Sequence, residues 1–109
     1  MPGLVGLAVL DSFAYGVPMI TTDVPFHSPE IDYLEDGKNG LIFRPADDPK
    51  LYAERVIALL RDDIARNRLV EGGRAALDLY SIENMVERFA CGVLAALEAP
   101  RRPVWSFTR

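Results

Sequence analysis

Ala14-Tyr15-Gly16-Val17-Pro18-Met19-Ile20-Thr21-Thr22 marks the point where a helix stops and a buried strand begins. Glycine just past the last helical residue, with proline soon after, is the signature of a helix C-terminus. Upstream, Leu4 to Tyr15 is mostly apolar with Asp11 and Ser12 embedded, which predicts the helix that this signal ends. Downstream, Pro18 to Thr22 is a short β-branched and apolar run without polar alternation, as in a strand of a parallel sheet covered on both faces. Asp23 to Pro29 then reads as a loop carrying two prolines, Pro25 and Pro29. Asp36-Gly37 and Asn39-Gly40 bracket a turn, and Leu41-Ile42-Phe43 reads as a second short strand.

The remainder is expected to be helical. Asp48-Pro49 is an N-cap followed by proline at the first helical position. Tyr52, Val56, Leu59, Leu60 and Ile64 continue an apolar face, and Asp62-Asp63 opens a further helix towards Tyr80, with Gly72-Gly73 as its weak point. Ser81 caps a last helix whose Ile82, Met85, Val86, Phe89, Val93 and Leu97 form an amphipathic stripe. Pro100 ends it. Two short parallel strands with about four helices are an α/β arrangement too small for a doubly wound sheet, in which several strands lie side by side. The expected architecture is therefore the C-terminal part of a larger domain whose earlier strands lie upstream of Met1.

Composition narrows the function classes. With 109 residues, 50% apolar and 26% charged, the chain is one domain at most and is not a disordered polymer. A net charge of −4 argues against nucleic acid as the main partner. The single cysteine, Cys91, makes no internal disulfide and fits a reducing compartment. No apolar run is long enough to span a bilayer, and no signal peptide is recognisable, so a cytoplasmic location is expected.

Pro2-Gly3-Leu4-Val5-Gly6-Leu7 opens the first helix in this reading. Glycines there let a ligand approach the backbone, and free N–H groups at a helix start favour an anion. Asp11, one turn further in, is placed to accept hydrogen bonds from a ribose diol. A tight turn into a buried helix with a solvated aspartate accounts for the same residues. His27, the only histidine, reads as a surface or packing residue, and Asp23, His27, Glu30 and Asp32 have no metal-ligand spacing. Glu30 is expected to cap a short helical turn. Cys91 falls opposite the apolar stripe, with no histidine or basic residue beside it except Arg88. The tail, residues 98–109, is basic and aromatic; its Arg101, Arg102, Trp105, Phe107 and Arg109 suit either an anionic membrane surface or a plain terminus.

The wider pattern from Gly6 to Thr21 resembles the signature of retaining GT-B glycosyltransferases of the group 1, family-four type. That signature runs Gly-Leu-x-x-x-Glu-x-x-Ala-x-Gly-x-Pro-Val-Ile. The resemblance continues in order through Pro29-Glu30-Ile31, Glu35 to Phe43 and Asp48-Pro49, covering residues 2 to 97. It implies a Rossmann-like, donor-binding portion at 1–97 and an N-terminal acceptor domain elsewhere. It also implies a UDP- or GDP-sugar donor, transfer with retention, a role in glycan or polysaccharide assembly, and no cofactor or metal.

Carried over position by position, the resemblance implies that the backbone of Gly3, Leu4, Val5, Gly6 and Leu7 meets the diphosphate and the sugar. The second glutamate of the family's Glu-x7-Glu motif, which binds the ribose, falls on Asp11. The first, which faces the transferred sugar, falls on Gly3, which has no side chain to offer. The Arg/Lys pair that holds the pyrophosphate in the family belongs upstream of Met1. Two alternatives stand beside this reading: a non-catalytic nucleotide-sugar-binding or interaction module, and a structural α/β piece without a ligand.

Overall fold

The computed structural model describes residues 2–44 and 48–100. Residues to Leu79 form one compact unit and those from Tyr80 onward a second. In the first unit, β1 (Met19–Thr22) and β2 (Gly40–Phe43) pair in parallel, in register from Met19 opposite Gly40 to Thr22 opposite Phe43. Helix α1 (Ala8–Ala14) precedes β1, a 3-10 turn (Pro29–Tyr33) lies between the strands, and α2 (Pro49–Arg61) and α3 (Asp63–Leu79) follow β2. The α/β class, the parallel pairing and the four helices agree with part of a Rossmann-like GT-B domain.

Several local expectations are corrected. Helix α1 begins at Ala8 rather than Leu4 and has seven residues, because Gly3 adopts φ +91° and Val5 turns inward instead of joining a helical turn. The C-terminal signal holds: Gly16 sits at φ +64°, the left-handed position after a helix end. Glu30 lies in the first turn of the 3-10 segment and does not cap it; Ser28 occupies the cap position.

Helix α2 is capped as its sequence suggests, Asp48 Oδ1 accepting from Leu51 N at 2.9 Å. Asp62 both ends α2 and caps α3, its Oδ1 accepting from Ala65 N at 2.9 Å. The apolar face expected along α2 does not survive as one surface. Leu59 is buried, whereas Leu60 and Ile64 are exposed, since α2 stops at Arg61 and Ile64 starts a new helix.

Gly72 and Gly73 do not weaken α3, which runs unbroken through them. They are where it packs: a Cβ on Gly73 would meet Phe13 Cδ1 at 2.9 Å, so the missing side chain lets α3 close on α1. The core of this unit is Val5, Val9, Phe13, Met19, Leu34, Leu59, Leu69 and Ala76. The buried Asn39 is hydrogen-bonded at both ends of its amide: Oδ1 accepts from Glu35 N at 2.7 Å and Nδ2 donates to Tyr33 O at 2.9 Å, fixing the turn into β2. Tyr52 reaches back from α2, its hydroxyl donating to Ile20 O at 3.2 Å and its ring meeting Phe43 edge to face.

The second unit is α4 (Ile82–Glu98), capped by Ser81 Oγ accepting from Asn84 N at 3.2 Å. None of its residues is buried, and the whole stripe from Ile82 to Leu97 is exposed, as is Cys91. The tail residues 101–109 lie outside the described residues.

Candidate functional site

In open parallel sheets, ligands bind beyond the carboxyl ends of the strands, where connecting loops converge. Here that end of β1 is occupied by the Pro2–Leu7 segment. Gly3 N donates to Thr22 Oγ1 at 3.0 Å, and Thr21 Oγ1 donates back to Gly3 O at 3.2 Å. The two threonines, which in sequence signal only a β-branched strand, thereby bind the loop that enters α1. Ser28 fastens the same loop from the other side, its Oγ donating to Val5 O. Neither contact was legible from spacing, although a serine directly before proline is a familiar helix-start residue.

The loop so held is open towards ligand. A Cβ placed on Gly3 or Gly6 would meet nothing within 4 Å. The positive φ of Gly3 disfavours any side chain there. Leu4 and Leu7 are exposed, while Val5 is buried and offers at most its amide. Val9 N bonds Gly6 O and Leu10 N bonds Leu7 O, which makes those carbonyls part of the helix entry. The N–H groups of Gly6, Leu7 and Ala8 donate to no other described residue. Those are the orphan donors of a helix start. Because α1 spans only two turns, its macrodipole is small and the individual amides matter more.

Asp11 lies four residues beyond Leu7 on the outward face of α1, exposed, its carboxylate without a partner among the described residues. The opposite face carries buried Val9 and Phe13. The structure therefore brings Gly3 to Leu7 to the carboxyl end of β1 and leaves Asp11 free one turn along the helix.

His27 folds back on the strand it follows, with Nε2 2.7 Å from Thr22 O; that nitrogen carries the proton if it donates there. Its Nδ1 and Glu30 Oε2 are shielded and have no partner among the described residues. The Ser28 hydroxyl, with the residue's own amide, holds the Glu30 carboxyl below the usual carboxylate range. Asp23 and Arg44 pair across the ends of β1 and β2. Among the described residues no three His, Cys, Asp or Glu side chains gather as metal ligands.

A sizeable open cavity lies elsewhere. It has about 400 Å³, lined by Leu41, Leu59, Ile64 and Leu69 with Asp62 and Arg68, at the junction of α2 and α3. It shares no residue with the Gly3–Leu7 loop and, apart from Asp62 and Arg68, its lining is mainly apolar, so the loop is the stronger candidate.

Free amides beside a glycine-containing loop at a parallel strand's carboxyl end are where α/β proteins commonly bind anions and nucleotides. Comparison makes this specific. The family model for glycosyl transferases group 1 matches residues 4–76, and the chain belongs to that family. It is 32% identical over 75 residues to a phosphatidyl-myo-inositol mannosyltransferase of Mycobacterium leprae (strain TN), covering 69% of this chain and 19% of that protein. It is 41% identical over 59 residues to spore coat protein SA of Bacillus subtilis (strain 168), covering 54% of this chain and 15% of that protein. The chain thus spans less than a fifth of either relative's length. No helix among the described residues is long and apolar enough to cross a membrane.

Proposed function

We propose that this chain is the donor-binding portion of a glycosyltransferase that moves a sugar from a UDP- or GDP-sugar to a glycan or other acceptor with retention. The single observation that carries this reading is the row of free amides at Gly6, Leu7 and Ala8, at the carboxyl end of β1, inside the family-matched segment. Free backbone amides at a helix start suit a diphosphate leaving group, whose charge grows as the glycosidic bond breaks. Asp11 accepts the ribose hydroxyls, and the loop from Gly3 to Leu7 meets the diphosphate and sugar. The acceptor is bound by a further N-terminal domain, in line with the small share of each relative that the chain covers.

The competing reading is a nucleotide-sugar-binding module without turnover, favoured by Gly3, whose backbone disfavours the side chain that faces the sugar in the family. Calorimetric titration with UDP and GDP tests what both share. Saturable binding of one of them supports a donor site, and no binding of either removes it. Incubation with UDP- and GDP-sugars and a glycan acceptor separates the two. The 109-residue chain alone is expected to transfer no sugar, and acceptor glycosylation by it would show that the acceptor site is already present.

A further inference from the structure

The loop between β1 and the 3-10 turn holds a feature that the family resemblance does not use. Pro25-Phe26-His27-Ser28-Pro29 follows the carboxyl end of β1, and its neighbouring polar side chains turn inward. His27 Nε2 meets Thr22 O at 2.7 Å, and Ser28 Oγ donates to Val5 O. Phe26, between these fastenings and the strand, turns outward and is 67% exposed. An aromatic side chain left in water on a loop tied down at both ends forgoes the burial that usually directs such a residue inward. The two prolines restrict the loop further. The aromatic group is held out in advance of any ligand.

The residues flanking Phe26 in the chain, Thr22 and Ser28, tie this stretch to the Gly3–Leu7 loop. Val5, which Ser28 holds, and Gly3, which Thr22 holds, both belong to the loop assigned above to the donor. At Gly3 the space that a side chain would enter is open. Leu4 and Leu7 are exposed on the same loop. Apolar and aromatic side chains around a few directed polar groups are the usual lining of a small-molecule site.

We propose that Phe26 is a specificity-determining residue of this site, an apolar platform for the carbon–hydrogen face of the transferred sugar. This rests on the donor-site reading above. The sugar then gains from an aromatic face part of the hold that no side chain at Gly3 supplies, and pyranoses with one face clear of hydroxyl groups are favoured. The nucleoside and diphosphate, which contact Asp11 and the amides, do not depend on Phe26.

The test compares the wild-type chain, Phe26→Ala and Phe26→Tyr in titrations with UDP, GDP, UDP-glucose and GDP-mannose. Thermal melts confirm folding, which an exposed position should leave intact. Phe26→Ala is expected to weaken the bound nucleotide-sugar by roughly 3- to 10-fold and to leave the parent nucleoside diphosphate unchanged, with Phe26→Tyr restoring wild-type affinity. If the wild type binds the nucleoside diphosphate but Phe26→Ala leaves nucleotide-sugar affinity unchanged, the inference is overturned and the donor site stands. Equal weakening of both ligands also overturns it, by placing Phe26 against the nucleoside. Failure of the wild type to bind any of the four overturns both readings.

Discussion

A Cβ on Gly72 would lie 2.0 Å from the carbonyl oxygen of Lys38. That approach brings α3 onto the turn before β2 and supports the strand pairing from which the candidate site is built. Two opposing effects act on Gly72→Ala. Helix propensity favours alanine by about 1 kcal/mol. The clash is with backbone, which cannot swing aside as a flexible side chain can, and overpacking of this kind costs about 1–3 kcal/mol or more. The clash is expected to win. Urea unfolding should show a lower midpoint for Gly72→Ala, with a net loss of up to about 2 kcal/mol. Gly92, in the middle of α4 with nothing within 4 Å of its Cβ position, is the control: Gly92→Ala should raise helicity and leave the midpoint of the first unit unchanged.

Gly72 also shows where sequence reading stops. A glycine pair inside a helical stretch lowers propensity, so pattern alone marks a weak point; only the neighbouring turn reveals that the absent side chains are what α3 packs with. By contrast, the break at Gly16-Val17-Pro18, the caps Asp48 and Ser81 and the two strands were legible, because each is a local signal whose partner lies within a few residues. The start of α1 was not. It is set by Thr21, Thr22 and Ser28 holding Gly3 and Val5 across 18 to 23 residues, and no local pattern encodes that. The candidate residues Gly3 to Leu7 and Asp11 came from ordered motifs, whereas Phe26 needed the fastenings made by His27 and Ser28 directly after it.

The Glu30 carboxyl gives a prediction in pH. Its folded-state pKa is lowered by the Ser28 hydroxyl and its own amide, so between the folded and unfolded values the unfolded chain binds more protons. Stability therefore rises with pH across that window. The contribution is fully present above the ordinary glutamate value and is lost as pH falls through the depressed one. Glu30→Gln should flatten the acid side of a stability-versus-pH curve measured by urea unfolding, and Ser28→Ala should flatten it in the same direction. An unchanged acid limb in both variants would remove Glu30 from the pH response.

Asp11 is the side chain on which the donor reading most depends. It is exposed on α1, four residues past Leu7, and no described group competes for its carboxylate. Asp11→Asn keeps the shape and removes the charge that lets one carboxylate accept from both hydroxyls of a ribose. A hydrogen bond to a charged group contributes about 1.5–3 kcal/mol, so affinity for UDP or GDP should fall by roughly 10- to 150-fold. If Asp11 only decorates a helix flank, the substitution moves stability by a few tenths of a kcal/mol and leaves binding alone. The two outcomes lie far apart in a calorimetric titration once thermal melts show that both proteins are folded. Equal affinities would take Asp11 out of the site and leave the diphosphate to the amides of Gly6, Leu7 and Ala8. Those amides have no side chain to truncate. Gly6→Pro, which removes one of these N–H groups, would then be the variant that tests them, with weakened nucleoside diphosphate binding as the expected result.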